Sequence, residues 1–527
     1  VMATGGRRPH LIHIVADDVG WDDLGFTNGA MRTPVIDGLV REGVRLTRFY
    51  AQKECAPSRS SMMTGRLPFH YGYYENPSDD GAVPRNYTMI PSVLKSQGYS
   101  THAIGKWHCG FKTADVTPTH RGFDSFLGFW HWGEEYVDHA FPPYYKDAKC
   151  RGVDFVNSSA GGPITPIMNR NGSFSTQVFL DEVDRVLHTR DIDKPLYVYF
   201  AFQNAHDPYE LAPEHLVRHF SQTVGAMRRN FSAIVEDLDI GVGELVKKFK
   251  AAGIWGDTIL WFNSDNGAEL PFPDQSRCNP SKLNTGDCGG AGSNYPLRGG
   301  KFTLFEGGVR VHAFVHSPSA HWLPTARRGT EWNGMAHVAD IFPTMAMLAG
   351  ASLDAEAHYD GVDLWNAIVL GRASPRKELL HQPLNSFWNA SCRPSDESNP
   401  FTPSCGAALT VWPYKLYIGF PGDNRVVATP STLPMAERLS VPRDLCVDVP
   451  CLFDIEKDPS EATDLALQLP AKVVELTARL YELSVPEAAP QPADHLTPVP
   501  SDAACVVVTR TGAWQPWGDA ADPVLHS

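Results

Sequence analysis

His10-Leu11-Ile12-His13-Ile14-Val15-Ala16-Asp17-Asp18 is a short, largely apolar run that ends on two adjacent acids. Its length and composition predict a buried strand with a polar loop at its carboxyl end. A helix is predicted next, over Pro34–Glu42, with Thr33 as N-cap and Pro34 at the first helical position. The alternation continues: Pro91–Gln97 reads as helix, Thr101–Ile104 as strand, Pro195–Phe202 as a buried strand, Gly225–Ala252 as a long helix, and Thr258–Phe262 as a strand ending in polar residues. Strands alternating with helices predict an α/β fold in which a large, mostly parallel sheet is sandwiched by helices. After about residue 375 the texture changes. Pro, Ser and Cys become frequent, Ala408–Gly419 alternates like a strand, and Ala471–Leu483 has helical periodicity. The chain is therefore divided into a main domain, 1–375, and a smaller C-terminal domain and tail, 376–527, in which Cys505–Trp517 is expected to tie back onto the body.

The 527 residues suit one large domain plus a smaller one, and 43% hydrophobic content can fill a sizeable core. With 44 Gly and 42 Pro spread along it, the chain is expected to be loop-rich and globular, not collagenous or disordered. No apolar run approaches the roughly 18 residues needed to span a bilayer. A net charge of -14 argues against a nucleic-acid partner, which would need a basic face. Any anionic substrate must then be held by local cations. Protonating all 20 histidines would move the net charge to at most about +6, so an acidic compartment would ease anion capture.

The ten cysteines form no CxxC pair, which points to disulfides rather than a zinc ribbon. Spacing marks Cys278 with Cys288, Cys392 with Cys405, and Cys446 with Cys451. Asn86, Asn157, Asn171, Asn230 and Asn389 each begin an N-x-S/T sequon, and with the cysteines they favour a secreted or lysosomal glycoprotein. Val1–His10 has no apolar signal core, so a leader is removed, omitted or never present.

Six segments carry chemistry. Cys55-Ala56-Pro57-Ser58-Arg59 begins a run that ends Thr64-Gly65-Arg66, and its head alone would arise by chance roughly 0.002 times in this chain. Alone, Cys55 would read as a buried thiol or disulfide partner before a helix. Pro57 at the start of that helix leaves Cys55 near free N–H groups that favour negative charge. Asp17-Asp18 alone would be solvated turn residues, but Ser264-Asp265-Asn266-Gly267 follows a second strand. Three carboxylates and an amide oxygen brought together would repel unless a hard cation lay among them, and an all-oxygen set suits Ca²⁺ or Mg²⁺, with calcium the first choice. The others are Gly105-Lys106-Trp107-His108-Cys109-Gly110, Gln203-Asn204-Ala205-His206-Asp207-Pro208, and Leu297-Arg298-Gly299-Gly300-Lys301, where glycines allow close backbone approach to a ligand.

Together these motifs resemble the type I, formylglycine-dependent sulfatases of the alkaline phosphatase superfamily, over Pro9 to about Asp464. The resemblance implies a catalytic sulfatase domain, 1–375, and a C-terminal α+β domain carrying an antiparallel sheet. It implies that a formylglycine-generating enzyme oxidises Cys55 to Cα-formylglycine, whose hydrate attacks sulfur with one hydroxyl and expels sulfate with the other. By the same resemblance Asp17, Asp18, Asp265 and Asn266 bind one Ca²⁺ that also touches residue 55, and Arg59 holds the hydrate and its anion. Lys106, His206 and Lys301 contact sulfate and leaving-group oxygens, and His108 orients the hydrate and takes its proton. Gly512–Trp517 resembles the end of the N-acetylgalactosamine-4-sulfatase branch.

Cys109 departs from the apolar residue usual there and is read as a packing residue or disulfide partner. With Cys55 modified, nine cysteines remain, so at least one is unpaired or pairs between chains. His337–Thr344 and Leu452–Pro459 also resemble sulfatase segments and are read as packing and turn formation. The loops 130–171 and 270–296 are expected to carry specificity. The expected substrate is a sulfated sugar or aryl sulfate, attacked in exo fashion because a few local cations suit one terminal sulfate. Two alternatives stay open: a phosphatase or phosphodiesterase of the same superfamily, and a non-enzymatic binder of sulfated glycans if Cys55 is unmodified.

Overall fold

The computed structural model describes residues 8–73, 81–141, 150–169, 172–220, 225–271, 289–384, 406–422, 425, 446, 449–484 and 502–518. In chain order the strands are β1 His10–Ala16, β2 Val44–Tyr50, β3 Ser100–Lys106, β4 Ser125–Phe129, β5 Ala140–Phe141, β6 Gly152–Val153, β7 Val156–Ser159, β8 Thr165–Pro166, β9 Leu196–Ala201, β10 Thr258–Ser264, β11 Ala313–His316, β12 Thr330–His337, β13 Glu378–Gln382, β14 Ala407–Val411, β15 Tyr414–Ile418 and β16 Cys451–Asp454. Ten of them form one sheet in the order β12-β2-β11-β10-β1-β9-β3-β4-β7-β8. Its centre, β10 to β4, is parallel throughout, whereas β11 and the β7–β8 edge run antiparallel. The expected mostly parallel sheet is thus a mixed sheet with a parallel heart.

β1 lies at that heart because its alternating side chains meet a core on each face. Leu11 and Val15 pack with Val44, Tyr197 and Trp261 under the helices Cys55–Thr64 and Ile341–Leu348. Ile12 and Ile14 pack with Val198, Phe200 and Phe262 against the helices Ser175–Thr189 and Ala226–Ala251. Each fully buried Leu, Ile or Phe in these layers contributes about 1.5–3 kcal/mol. A charge on β1 would therefore be intolerable before Asp17, where the strand leaves the core.

β13 to β16 form a separate four-stranded antiparallel sheet, packed by Leu476 and Leu480 of the helix Pro470–Ser484. Ala408–Gly419 is a hairpin and not one strand. β14 and β15 pair from Ala407 opposite Ile418 to Val411 opposite Tyr414, and Trp412-Pro413 turns the chain. Val411-Trp412-Pro413-Tyr414 carries the apolar run through the turn with no Gly, Asn or Asp to mark it. Thr33 precedes its helix without capping it: its hydroxyl accepts from Gly25 N at 2.7 Å and donates to Asp37 at 2.9 Å. No described helix is long and apolar enough to cross a membrane.

Cys446 and Cys451 form the disulfide that their spacing marked. A second, Cys150–Cys505, was not foreseen and spans 355 residues. Cys278, Cys288, Cys392 and Cys405 lie outside the described residues, and Cys55 and Cys109 are buried free thiols. Of the sequons, Asn86 is exposed in a turn, Asn157 lies on β7, and Asn230 sits inside a helix with its amide donating to Tyr209 O at 2.9 Å; Asn171 and Asn389 lie outside the described residues.

The terminal segment does tie back. Trp514 is buried, its indole donates to Phe141 O at 3.1 Å, and Gly512 O accepts from Val153 N at 2.9 Å. The Cys150–Cys505 bond closes this long loop, so Cys505→Ser is expected to lower the unfolding free energy by about 2–5 kcal/mol in a urea titration. An unchanged midpoint would contradict that role.

Candidate active site

Four neighbouring strands, β10, β1, β9 and β3, deliver their next residues to one place at the carboxyl edge of the sheet. Past the regular ladder, Asp265 N donates to Ala16 O at 3.0 Å, Asp17 N to Asn204 O at 2.9 Å, and Ala205 N to Asp17 O at 2.6 Å. These bonds fix the acidic loops to each other. Asp18 takes a left-handed backbone, φ 57°, a region that Asp tolerates better than most residues. Cys55 opens the helix Cys55–Thr64 and faces the loops from that helix's N-terminus. On β3, a Cβ at Gly105 would lie 1.9 Å from Ala201 O, so only glycine lets β3 deliver Lys106 beside β9.

The sequence-predicted residues converge. Cys55 Sγ lies 3.6 Å from Asp17 Oδ1, and Lys106 Nζ donates to Asp17 Oδ2 at 2.6 Å. Arg59 donates to Asp265 Oδ2 from Nε at 3.0 Å and Nη2 at 2.7 Å, and its Nη2 also lies 3.5 Å from Asp17. Lys301 Nζ donates to Asp18 Oδ2 at 2.8 Å and lies 3.2 Å from His206 Nε2. Asn266 Nδ2 donates to Asp18 Oδ1 at 2.6 Å. His108 follows β3 with its backbone N bonded to Trp130 O, and its buried Nδ1 has no hydrogen-bond partner.

Charge in this space is finely divided. Burial, then the neighbouring Asp265, pushes Asp17 up to about 7 against its ordinary 3.8. Burial would also raise Asp18, but Lys301, His206 and Lys106 outweigh it and hold Asp18 at about 2. Burial, then Lys301, drives His206 well below the usual histidine value, and burial, then Lys106, does the same for His108. Both imidazoles are therefore neutral at physiological pH. His206 Nδ1 lies 2.6 Å from Asp207 Oδ1, which fixes Nδ1 as donor and turns the Nε2 lone pair towards Lys301.

The donor set fits a hard cation. One donor atom each from Asp17, Asp18, Cys55 and His206 lies within 4.8 Å of the others. Asn266 Oδ1 is buried and accepts no hydrogen bond, an arrangement that costs free energy unless something else binds it. With His206 turned to Asp207 and Lys301, the oxygens of Asp17, Asp18, Asp265 and Asn266 could hold a divalent ion.

Sequence reasoning missed several neighbours. Tyr199 OH lies 3.4 Å from Arg59 Nη1, and the Trp132 ring lies 5.6 Å from that of His206. Glu269 is buried three residues after Asn266, where burial pushes its carboxyl up to about 8 despite the opposing Lys301. Asp207 could have been found, since it directly follows His206. Tyr199 and Trp132 carry no local signal beyond aromatic composition.

A buried acid cluster backed by two lysines, on the carboxyl edge of a helix-covered sheet and beside a helix-terminal Cys55, defines an ester hydrolase for an anionic group. The chain belongs to the sulfatase family, whose profile matches residues 9–351, and is a sulfuric ester hydrolase. It is 32% identical over 534 residues to arylsulfatase J of Mus musculus, covering 97% of this chain and 81% of that one. It is 31% identical over 389 residues to N-acetylgalactosamine-6-sulfatase of Sus scrofa, covering 70% and 68%. The crystal structure of Ps i-CgsB in complex with k-i-k-neocarrahexaose matches with a TM-score of 0.70 at 25% identity, over 92% of this chain and 94% of that one. These relatives do not single out the N-acetylgalactosamine-4-sulfatase branch suggested by Gly512–Trp517, and the assignment that stands is an arylsulfatase-type enzyme. The phosphatase and binder alternatives are set aside by the family.

Asp17 takes up a proton on folding, because about 7 lies above 3.8; the resulting destabilisation is absent below pH 4 and complete above pH 7. A bound cation displaces that proton, so saturating divalent cation should raise the melting temperature of EDTA-treated protein more at pH 8 than at pH 5. Equal shifts at both values would contradict this titration.

Proposed function

We propose that the protein removes one terminal sulfate at a time from a sulfated sugar, and also cleaves aryl sulfates, with Cys55 as its modified nucleophilic position. The observation that supports this best is the placement of Cys55 Sγ 3.6 Å from Asp17, at the helix terminus that faces the acidic loops. In the modified enzyme the place of Sγ is taken by oxygen. Formylglycine, made from Cys55 by a formylglycine-generating enzyme, supplies when hydrated one hydroxyl as nucleophile and a second that allows sulfate to leave. Calcium, held by Asp17, Asp18, Asp265 and Asn266 together with residue 55, supplies positive charge beside the sulfuryl oxygens.

The chain's own residues divide the remaining work. Arg59 is fully buried and spends its donors on Asp265, Lys106 O and Tyr199, so it orients the carboxylates that surround the nucleophile. Lys106 and Lys301, held beside Asp17 and Asp18, place their ammonium groups where they can contact the sulfate oxygens. The fixed Nδ1–H of His206 leaves Lys301 as the proton donor: as the S–O bond breaks, the alcohol oxygen takes a proton from Nζ, and His206 Nε2 accepts from the same group. His108, neutral and with Nδ1 unpaired, takes the proton from residue 55 that permits release of sulfate. One relative is an N-acetylgalactosamine-6-sulfatase, and Ps i-CgsB is in complex with k-i-k-neocarrahexaose, which supports a sulfated glycan as substrate. Sequons and disulfides favour a secreted or lysosomal setting for it.

Cys55→Ala is expected to abolish aryl sulfate turnover with the thermal melt preserved, and the Cys55 peptide of active protein should be lighter by about 18 Da, as conversion of thiol to aldehyde requires. Full activity in the variant, or an unmodified peptide in active protein, would overturn the assignment. A terminally sulfated oligosaccharide should release sulfate faster than an internally sulfated polymer; the reverse order would reject exo action.

A further inference from the structure

Lys301 sits on the segment Leu297–Gly308, which contains Gly299, Gly300, Gly307 and Gly308 and so has little stiffness of its own. On the site side this segment is held by Lys301 N to Ala268 O at 3.0 Å and Phe302 N to Lys53 O at 2.8 Å. On the other side its holders come from the four-stranded sheet and the chain that follows β15. Gly299 N donates to Arg425 O and Leu304 N to Pro421 O, both at 2.8 Å, so these two bonds bracket Lys301.

Beneath them lies an ionic cluster with no solvent exposure. Lys415 Nζ of β15 donates to Glu306 Oε1 at 2.9 Å and lies 3.8 Å from Glu461 Oε1. Glu306 N donates to Glu461 Oε2 at 2.8 Å, and Tyr50 OH donates to Glu306 Oε2 at 3.0 Å. The Tyr417 hydroxyl of β15 reaches both Glu461 Oε1 and, at 3.2 Å, Leu304 O. Arg298, also buried, lies over the rings of Phe305 and of Phe453 on β16, 5.5 and 5.9 Å from their centroids.

Buried charge of this kind is costly to desolvate and is satisfied in few geometries, so it fixes position more than it adds stability. Lys301 Nζ must reach Asp18 Oδ2 at 2.8 Å and His206 Nε2 at 3.2 Å, and a shift of about 1 Å in its segment would break both contacts. We infer that Tyr417, Glu461 and Lys415 are positioning residues for the sulfatase reaction: the C-terminal sheet, though remote from the acids, sets where the Lys301 ammonium stands. This rests on the proton-donor role proposed above for Lys301.

Lys415→Met would strand two buried carboxylates, so the test uses Tyr417→Phe and Glu461→Gln, which keep size and packing, with thermal melts to establish folding. Each is expected to lower kcat on an aryl sulfate about tenfold while KM changes less than about threefold. In a Lys301→Ala background the same substitutions should change kcat less than about twofold, because the group they position is gone. Two results would overturn the inference: both variants within about twofold of the parent enzyme, or their full effect persisting in the Lys301→Ala background. Unchanged kcat in Lys301→Ala alone would be a different failure, one that removes the role of Lys301 itself.

Discussion

Everything at this site depends on the cost of holding Asp17, Asp18 and Asp265 together away from water. Three carboxylates with no solvent exposure cannot stay charged side by side without compensation, and the chain supplies it from Arg59, Lys106 and Lys301. Three cations match three carboxylates in number, yet the pairing is uneven. Asp17 is driven towards its protonated form, and Asn266 Oδ1 is left without a partner. A protein that gains only marginal stability from folding as a whole retains such an arrangement where its function requires it.

The sheet exists to make that arrangement rigid. Apart from His13, paired with Asn263, β1 buries apolar residues up to Ala16 and turns acidic immediately beyond, so the place where it leaves the core is the place where charge begins. β10 repeats the device with Asp265 and Asn266, β3 with Lys106 and His108, and β9 with His206 and Asp207. Because these strands are parallel neighbours, their ends meet without long loops, and the helix from Cys55 closes the space with its N-terminus. The C-terminal sheet completes the support from behind the Lys301 segment.

What was legible in the sequence follows the range of the interactions. β1, β10 and the long helix Ala226–Ala251 announce themselves through local pattern, and the Cys55 run through its improbable spacing. Lys106, His206 and Lys301 were found through motifs, since nothing in the 194 residues between Lys106 and Lys301 tells that Lys301 will meet Lys106's neighbours. The Cys150–Cys505 bond spans 355 residues and the Lys415–Glu306 pair 109, and no local periodicity encodes either. The hairpin at Trp412-Pro413 was hidden because the run stays apolar through the turn, with no Gly, Asn or Asp there. Tyr199 was legible only as core, yet its hydroxyl reaches Arg59.

The central claim is that the buried oxygens of Asp17, Asp18, Asp265 and Asn266 form a divalent-cation site against residue 55. Anomalous X-ray scattering from crystals of the calcium-loaded protein tests it most directly. The account predicts a single strong peak among those four side chains, at about 2.3–2.6 Å from their oxygens. Ordered side chains with no peak between them, or a peak elsewhere in the fold, would contradict it.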